Sequence, residues 1–206
     1  MARSKSSRRW LDEHFNDPYV KKAQAAGYRS RAAFKLLEIQ EKDRLIRPGM
    51  VVVELGAAPG GWSQVIAGLV KPNGRIFALD LLAMDPLSGV EVMQGDFQDP
   101  GVIALLHEKV GMRSVDLVLS DMAPNISGIG DADQARMMGL VESALAFAEE
   151  VLKPGGSFLA KSFQGAGFDE VLKILRQRFK KVVIRKPQAS RARSAELYFL
   201  ARDFKV

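Results

Sequence analysis

A glycine-rich loop followed by two spaced carboxylates is the first feature of this chain that could do chemistry. In VVVELGAAPGGW, Gly56, Ala58 and Gly61 form a loose G-x-A-x-x-G pattern between a predicted strand and a predicted helix. Small residues there let the backbone approach a ligand closely. Asp80 and Asp96 end the next two predicted strands, where carboxylates can bind ribose hydroxyls or an adenine edge. The pattern predicts a nucleotide-type cofactor, and alone it would also suit a dinucleotide.

A lysine within an apolar strand is the second such feature. Lys161 lies in SFLAKSF, and a lysine in such a strand is seldom buried without a partner, which favours a functional role. Free lysine has a pKa of about 10.4, so a lysine acting as a base needs a nearby positive charge or desolvation. The chain has no cysteine and only two histidines. The absence of cysteine excludes disulfides and cysteine nucleophiles. Because only two histidines are present, we also predict no metal site.

Alternating strand and helix patterns surround these residues. Strands are predicted at 50–55, 75–80, 90–96, 115–121, 157–163, 182–186 and 196–204. Helices are predicted at 31–43, 62–70, 101–110, 133–152 and 168–179, with a short one opening at Asp17-Pro18 and ended by Gly27. Ser30 is the predicted cap of the helix at 31–43, and residues 153–156 are a predicted turn.

These patterns together predict an α/β, Rossmann-like fold with a seven-stranded, mostly parallel sheet and helices on both faces. No helix-length segment separates the last two strands, so we expect them to pair antiparallel. Residues 1–29 are predicted to form a basic arm and a short helix, and residues 30–206 a single domain. No apolar run approaches the ~20 residues that span a bilayer. We expect a cytoplasmic monomer.

Positive charge is concentrated at both ends of the sequence. Residues 1–47 hold 12 Lys/Arg against 6 Asp/Glu, and residues 171–206 hold 11 against 2, whereas residues 48–170 hold 7 against 16. This distribution predicts a platform for a polyanion such as RNA. The basic residues concerned are Arg3, Lys5, Arg8, Arg9, Lys21, Lys22, Arg29, Arg31, Arg176, Arg178, Lys180, Lys181, Arg185, Lys186, Arg191 and Arg193. We expect the aromatic residues among them, Trp10, Phe15, Tyr19 and Tyr28, to anchor helices more often than to stack on bases.

Three segments together resemble the FtsJ family of ribose 2′-O-methyltransferases, namely LGAAPGGWSQ, SDMAPNISG and LAKSFQG. The resemblance runs from about Trp10 to the end and is strongest to bacterial members that act on large-subunit ribosomal RNA. It implies an S-adenosylmethionine-dependent methyltransferase and a uridine target. It places Gly56, Gly60, Trp62, Asp80, Asp96 and Asp121 at the S-adenosylmethionine site. It also implies a catalytic tetrad of Lys35, Asp121, Lys161 and Glu196.

The tetrad suggests how a ribose hydroxyl, a poor nucleophile, could be activated. We expect Lys161 to act as the base or to steer the hydroxyl, with Lys35 tuning it. Asp121 and Glu196 would position Lys161 and the target ribose. Asp121 is followed by Met-Ala-Pro and not by the Pro-Pro-aromatic motif of amino-group methyltransferases, which argues against a base nitrogen as target.

Four alternatives to this function remain. Two are a transfer-RNA and an mRNA-cap 2′-O-methyltransferase of the same family, although no extension is present for a cap pocket. A nicotinamide oxidoreductase would need a partner such as Tyr-x-x-x-Lys, which we do not find. A non-catalytic RNA-binding assembly factor would not need the intact tetrad.

Overall fold

The structure is a computed structural model that describes residues 17–191 and 194–205. The strands in these ranges are β1 (Val51–Leu55), β2 (Arg75–Asp80), β3 (Glu91–Gln94), β4 (Val115–Ser120), β5 (Leu152–Phe163), β6 (Phe179–Arg185) and β7 (Glu196–Phe204). The helices are α1 (Pro18–Ala25), α2 (Ala32–Asp43), α3 (Gly61–Leu69), α4 (Pro100–Val110), α5 (Gly130–Val151) and α6 (Phe168–Arg178).

The strands of the described ranges form one sheet in the order β3-β2-β1-β4-β5-β7-β6. Neighbouring strands from β3 to β5 pair parallel, whereas β7 pairs antiparallel with both β5 and β6. This arrangement confirms the predicted mostly parallel sheet with an antiparallel last strand. Because β7 runs in the opposite direction, its first residue, Glu196, lies beside Phe163 at the end of β5.

Both faces of the sheet are covered, as the near-continuous apolar strands predict. On one face, Leu36 of α2 and Trp62, Val65 and Ile66 of α3 pack with the inward side chains of the central strands. The other face packs against α4, α5 and α6, whose buried residues include Leu106. The central strands are therefore buried between two apolar layers.

Two local predictions were wrong. The residue that caps α2 is Arg31, with no side-chain capping bond. The Ser30 hydroxyl instead lies against Gly61, where an added Cβ atom would come within 2.3 Å of it. The predicted turn at 153–156 belongs to β5, which starts at Leu152. The segment bulges from the ladder, since Val115 pairs with Leu152 and the next pair is Leu117 with Ser157. Gly155, at φ +80°, permits the bulge.

The short helix α1 packs on the body of the fold through aromatic contacts. The rings of Tyr19 and Tyr28 each lie 5.7 Å from the ring of Phe34 in α2, which confirms the expected anchoring role of these two aromatics. Trp10 and Phe15 lie outside the described residues, as do Arg3, Lys5, Arg8, Arg9 and Arg193. The proposed division at residue 29 stays a prediction. In residues 17–191 and 194–205, every helix is too short or too polar to cross a membrane.

Candidate functional site

A cavity of about 770 Å³ opens at the carboxyl ends of the parallel strands. The loops after β1, β2, β3 and β4 all contribute to it, as expected for a ligand site in an open parallel sheet. Its lining includes six residues singled out from the sequence: Gly56, Ala58, Asp80, Asp96, Asp121 and Lys161. These residues from separate segments therefore share one cavity.

The carboxylate of Asp80 joins two of the loops that surround this cavity. One oxygen accepts the N–H of Ala58 at 2.9 Å, and the other accepts the N–H of Leu82 at 2.8 Å. A carboxylate has further lone pairs, so hydroxyl groups in the cavity can still donate to it. Asp96 is exposed and accepts the N–H of Gln98 at 2.8 Å. The two acids thus present acceptors at successive strand ends.

Gly56 and Gly60 differ in what their missing side chains allow. A Cβ on Gly56 would lie 2.8 Å from the backbone nitrogen of Met122, so this glycine permits the β1 and β4 loops to meet. A Cβ on Gly60 would lie 2.9 Å from Nη1 of Arg29. Of these two glycines, Gly56 alone lines the cavity.

Trp62 is placed in the core and does not line the cavity. Its side chain is 2% exposed, its Nε1–H donates to the Ala32 carbonyl at 2.8 Å, and its ring lies 5.8 Å from that of Tyr198. The described contacts of Trp62 are thus with α2 and β7. A direct role for Trp62 or Gly60 in binding a cofactor stays a prediction from family resemblance.

Lys161 and Asp121 form an ion pair at one end of the cavity. The Nζ of Lys161 lies 3.3 Å from Oδ1 of Asp121 and also donates to the Asp121 backbone carbonyl. Lys161 is 8% exposed, so its ammonium has little contact with solvent and is positioned by Asp121. The β5 strand fixes the backbone of Lys161, and Asp121 directly follows β4, the neighbouring strand.

Lys35 and Glu196 form a second ion pair next to the first. The Nζ of Lys35, on α2, lies 2.7 Å and 2.8 Å from the two carboxylate oxygens of Glu196. Ser190 donates its hydroxyl to the same carboxylate at 2.7 Å. Burial raises the pKa of the Glu196 carboxyl, but the charges of Lys35 and Lys161 and the two hydrogen bonds outweigh burial and lower that pKa overall. Glu196 is therefore a carboxylate at neutral pH.

Tyr198 connects the two ion pairs, and sequence reasoning missed it. Its hydroxyl donates to Oδ1 of Asp121 at 2.8 Å and lies 3.4 Å from Oε1 of Glu196. Tyr198 pairs directly with Lys161 across the β5–β7 ladder. Burial and the two carboxylates raise its pKa well above the usual value, so it keeps its proton and serves as a donor. Its spacing of two from Glu196 on a strand was the available signal.

All four predicted tetrad residues are thus gathered in one cluster, although they come from four separate segments. Comparison with known proteins identifies the family. Residues 28–204 match the sequence profile described as FtsJ-like methyltransferase. The chain belongs to the FtsJ-like methyltransferase family.

Individual relatives carry the same kind of name. The chain is 60% identical to "Ribosomal RNA large subunit methyltransferase E" of Marinobacter nauticus, over 100% of both chains. It is 61% identical to the protein of that name from Alkalilimnicola ehrlichii, over 98% of this chain and 97% of the relative. A solved Plasmodium falciparum structure, described as that of a ribosomal RNA methyltransferase, is 28% identical with a TM-score of 0.78, covering 86% of this chain and 98% of that one.

A buried carboxyl beneath the site also escaped the sequence reasoning. Glu54 sits within the apolar strand β1, is 1% exposed, and accepts a hydrogen bond of 2.5 Å from Ser63 on α3. Burial raises its pKa to about 8, and the charges of Asp121 and Asp80 add to that effect despite the Ser63 hydrogen bond. This chain thus holds a neutral acid beneath the loop after β1 at neutral pH. The acidic residue within the otherwise apolar segment MVVVEL was the signal that could have identified it.

Several basic residues predicted to bind RNA have contacts within the protein. Arg185 forms a two-point ion pair with Asp43, and Arg178 pairs with Glu149. Arg31 contacts both the Asp17 carboxylate and the Ala189 carbonyl. Among the members of these clusters that the structure describes, the exposed ones are Lys21, Lys22, Arg176, Arg178, Lys180, Lys181 and Lys186. A shared RNA surface stays a prediction.

Residues 17–191 and 194–205 contain no group of three or more His, Asp or Glu side chains placed to hold a metal ion.

Proposed function

We propose that this chain transfers the methyl group of S-adenosylmethionine to the 2′-hydroxyl of a uridine ribose in large-subunit ribosomal RNA. The observation that carries the proposal is the joining of Lys161–Asp121 and Lys35–Glu196 through Tyr198 at one end of the cavity. The names of relatives that are 60% identical over their full length support ribosomal RNA as the substrate. Family resemblance supports the ribose oxygen and the uridine.

The cavity fits the proposed cofactor. Asp80 and Asp96 offer carboxylate acceptors for ribose hydroxyls and for an adenine amino group. Gly56 and Ala58 leave the backbone of the first loop open to close approach. S-adenosylmethionine, when bound, supplies a methyl group on a positively charged sulfur for in-line displacement.

Lys161 is the side chain best placed to act on the hydroxyl. As an ammonium it has three N–H donors. One is donated to the Asp121 carbonyl, and the Asp121 carboxylate lies 3.3 Å away as its ion-pair partner. An N–H that is not used in this way can be donated to the 2′-oxygen and hold it in line with the methyl group. The 2′-hydroxyl must lose its proton in the transfer, and that proton would pass to solvent or, if Lys161 acts as the base, to its Nζ.

The other members of the cluster fix this arrangement. Asp121 orients Lys161 directly, and Glu196 orients Lys35, which places a second positive charge nearby. Tyr198 and Ser190 hold the two carboxylates in position by donating hydrogen bonds. Preorganised charges of this kind stabilise a transition state without reorganisation during the reaction.

Lys161→Ala tests the proposal. Mapping of 2′-O-methyl groups on ribosomal RNA from cells with and without the gene should reveal one missing uridine methyl. The purified wild type should restore it in vitro, while Lys161→Ala should bind cofactor and RNA without turnover. Lys161→Arg should rescue little, because a guanidinium has a different shape and stays protonated. Lys173→Ala, on the exposed side of α6, is the matched control and should be active.

The pH profile separates the two roles of Lys161. A rate that rises with pH indicates proton abstraction, whereas a flat profile indicates steering. Near-normal turnover by Lys161→Ala would remove the residue from the mechanism. Unchanged methylation of ribosomal RNA in cells lacking the protein would contradict the proposed substrate, and transfer RNA and cap RNA would then be assayed.

A further inference from the structure

Arg29 lies in the turn between α1 and α2, and its side chain reaches the loops at the cavity. Its guanidinium donates to the carbonyls of Asp85 at 2.8 Å, Pro86 at 2.9 Å and Pro59 at 3.4 Å. Pro59 belongs to the loop after β1, and the other two acceptors belong to the loop after β2. One side chain therefore joins two separate loops through their backbones.

The turn that carries Arg29 is itself fixed to α3. The N–H of Arg29 donates to Oε1 of Gln64 at 2.7 Å, and Nε2 of Gln64 donates to the Gly27 carbonyl at 3.0 Å. The guanidinium packs closely over Gly60, where an added Cβ would lie 2.9 Å from Nη1 and 2.9 Å from the sulfur of Met84. Arg29 is thus held at its base as well as at its tip.

The two loops that Arg29 joins are the ones that Asp80 also joins. Asp80 accepts the N–H groups of Ala58 and Leu82, both of which line the cavity. Arg29 donates to carbonyls farther along the same two loops. The carboxylate and the guanidinium therefore hold the pair of loops at different points, each satisfying backbone groups of the opposite polarity.

We propose that Arg29 is a positioning residue for the cofactor site. Its place among the N-terminal basic residues had instead predicted a contact with RNA phosphates. The inference rests on the proposed function, because it takes S-adenosylmethionine as the ligand of this cavity. Charge-assisted hydrogen bonds from a planar guanidinium to three carbonyls hold the loops in their binding geometry before the ligand arrives. Without them, part of the binding free energy is spent on ordering the loops.

Arg29→Gln in the full-length protein tests the inference, with Arg47→Gln as the matched control. Arg47 is an exposed arginine in the turn before β1. Calorimetry should show S-adenosylmethionine binding about tenfold weaker in Arg29→Gln, the loss expected for one or two charge-assisted hydrogen bonds. The KM for the cofactor should rise, while kcat at saturating cofactor and RNA affinity stay near those of the wild type. Arg29→Lys should be intermediate, since it offers one donor head.

Hydrogen exchange of the free protein supplies a readout that needs no ligand. Amides in residues 82–90 should exchange faster in Arg29→Gln and at the wild-type rate in Arg47→Gln. If these amides exchange in Arg29→Gln at the wild-type rate, the inference is overturned. It is also overturned if the wild type binds S-adenosylmethionine and Arg29→Gln binds it with the same affinity. Lower RNA affinity with normal cofactor affinity would make Arg29 a phosphate contact, and lower kcat at unchanged KM would indicate only a smaller folded fraction. If exchange is faster in Arg29→Gln but the wild type does not bind S-adenosylmethionine, Arg29 still holds the two loops together and the proposed function is wrong.

Discussion

Replacing Glu54 by glutamine should make the protein more stable at neutral pH and leave it little changed in acid. The pKa of Glu54 in the folded protein is about 8, against an ordinary value of 4.5. Between these values the folded protein keeps the proton that the unfolded chain releases. Stability contributed by the neutral carboxyl is therefore fully present below the ordinary pKa and is lost as pH rises through the folded pKa.

The size of the effect follows from the pKa difference. Each pKa unit corresponds to about 1.4 kcal/mol, so the penalty is about 1 kcal/mol at about pH 5 and about 3.5 kcal/mol at about pH 7. Glutamine keeps the shape of the side chain and an acceptor for Ser63, but it carries no proton to release. The stability advantage of Glu54→Gln over the wild type should accordingly grow by about 2.5 kcal/mol between these two pH values.

Urea unfolding across that pH range measures the difference without adding salt. Glu142→Gln, at an exposed position on α5, is the control and should show no comparable growth. Two parallel stability curves for the wild type and Glu54→Gln would refute the reasoning, because they would mean that the buried carboxyl has the same pKa in both states.

Three further predictions concern the cavity, the charged cluster and the predicted RNA surface. Asp80→Ala should weaken S-adenosylmethionine binding at least about tenfold by calorimetry, since it removes two loop contacts and an acceptor; unchanged affinity would contradict the assignment. Tyr198→Phe should lower kcat about tenfold with both KM values unchanged, because it removes the hydroxyl between the carboxylates; an unaltered kcat would deny that role. Reversing the charge of Lys180 and Lys181 should weaken RNA binding and flatten its salt dependence while cofactor affinity holds; no effect on RNA affinity would leave them ordinary surface lysines.

The sequence predicted the elements whose signals are local and periodic. The bounds of β2 and β7 agree with the prediction to the residue. A Pro-Asn-Gly turn precedes β2, and its apolar run ends at Asp80. The start of β5 was missed since a bulge lets the strand continue through Lys-Pro-Gly-Gly. Ser30 has the right residue type for a cap, but its tertiary contact with Gly61 decides its role.

Part of the site could be predicted because a charged residue within an apolar strand is unusual and indicates a function. Lys161 was found in this way, whereas Glu54 was hidden in a strand that was interpreted as wholly apolar. Tyr198 was not singled out, because its hydroxyl also meets Asp121, which is 77 positions away and which nothing local to Tyr198 indicates. Arg29 has the composition of an RNA contact, and its carbonyl partners lie 30 or more positions away.

The position of β7 in the sheet has a consequence for the order in which the protein matures. Lys35 and Glu196 are 161 positions apart, and β7 lies between β5 and β6 although it follows both in the chain. Such distant pairing is a late, entropically costly event in folding. A nascent chain can form strands β1 to β3 and the carboxylates that follow them early. It acquires Tyr198 and Glu196 only when β7 is synthesised and inserts between β5 and β6. Under the proposed function, the complete cluster forms only when the sheet is complete. We therefore expect a product that stops before β7 to be inactive even where its first half is folded.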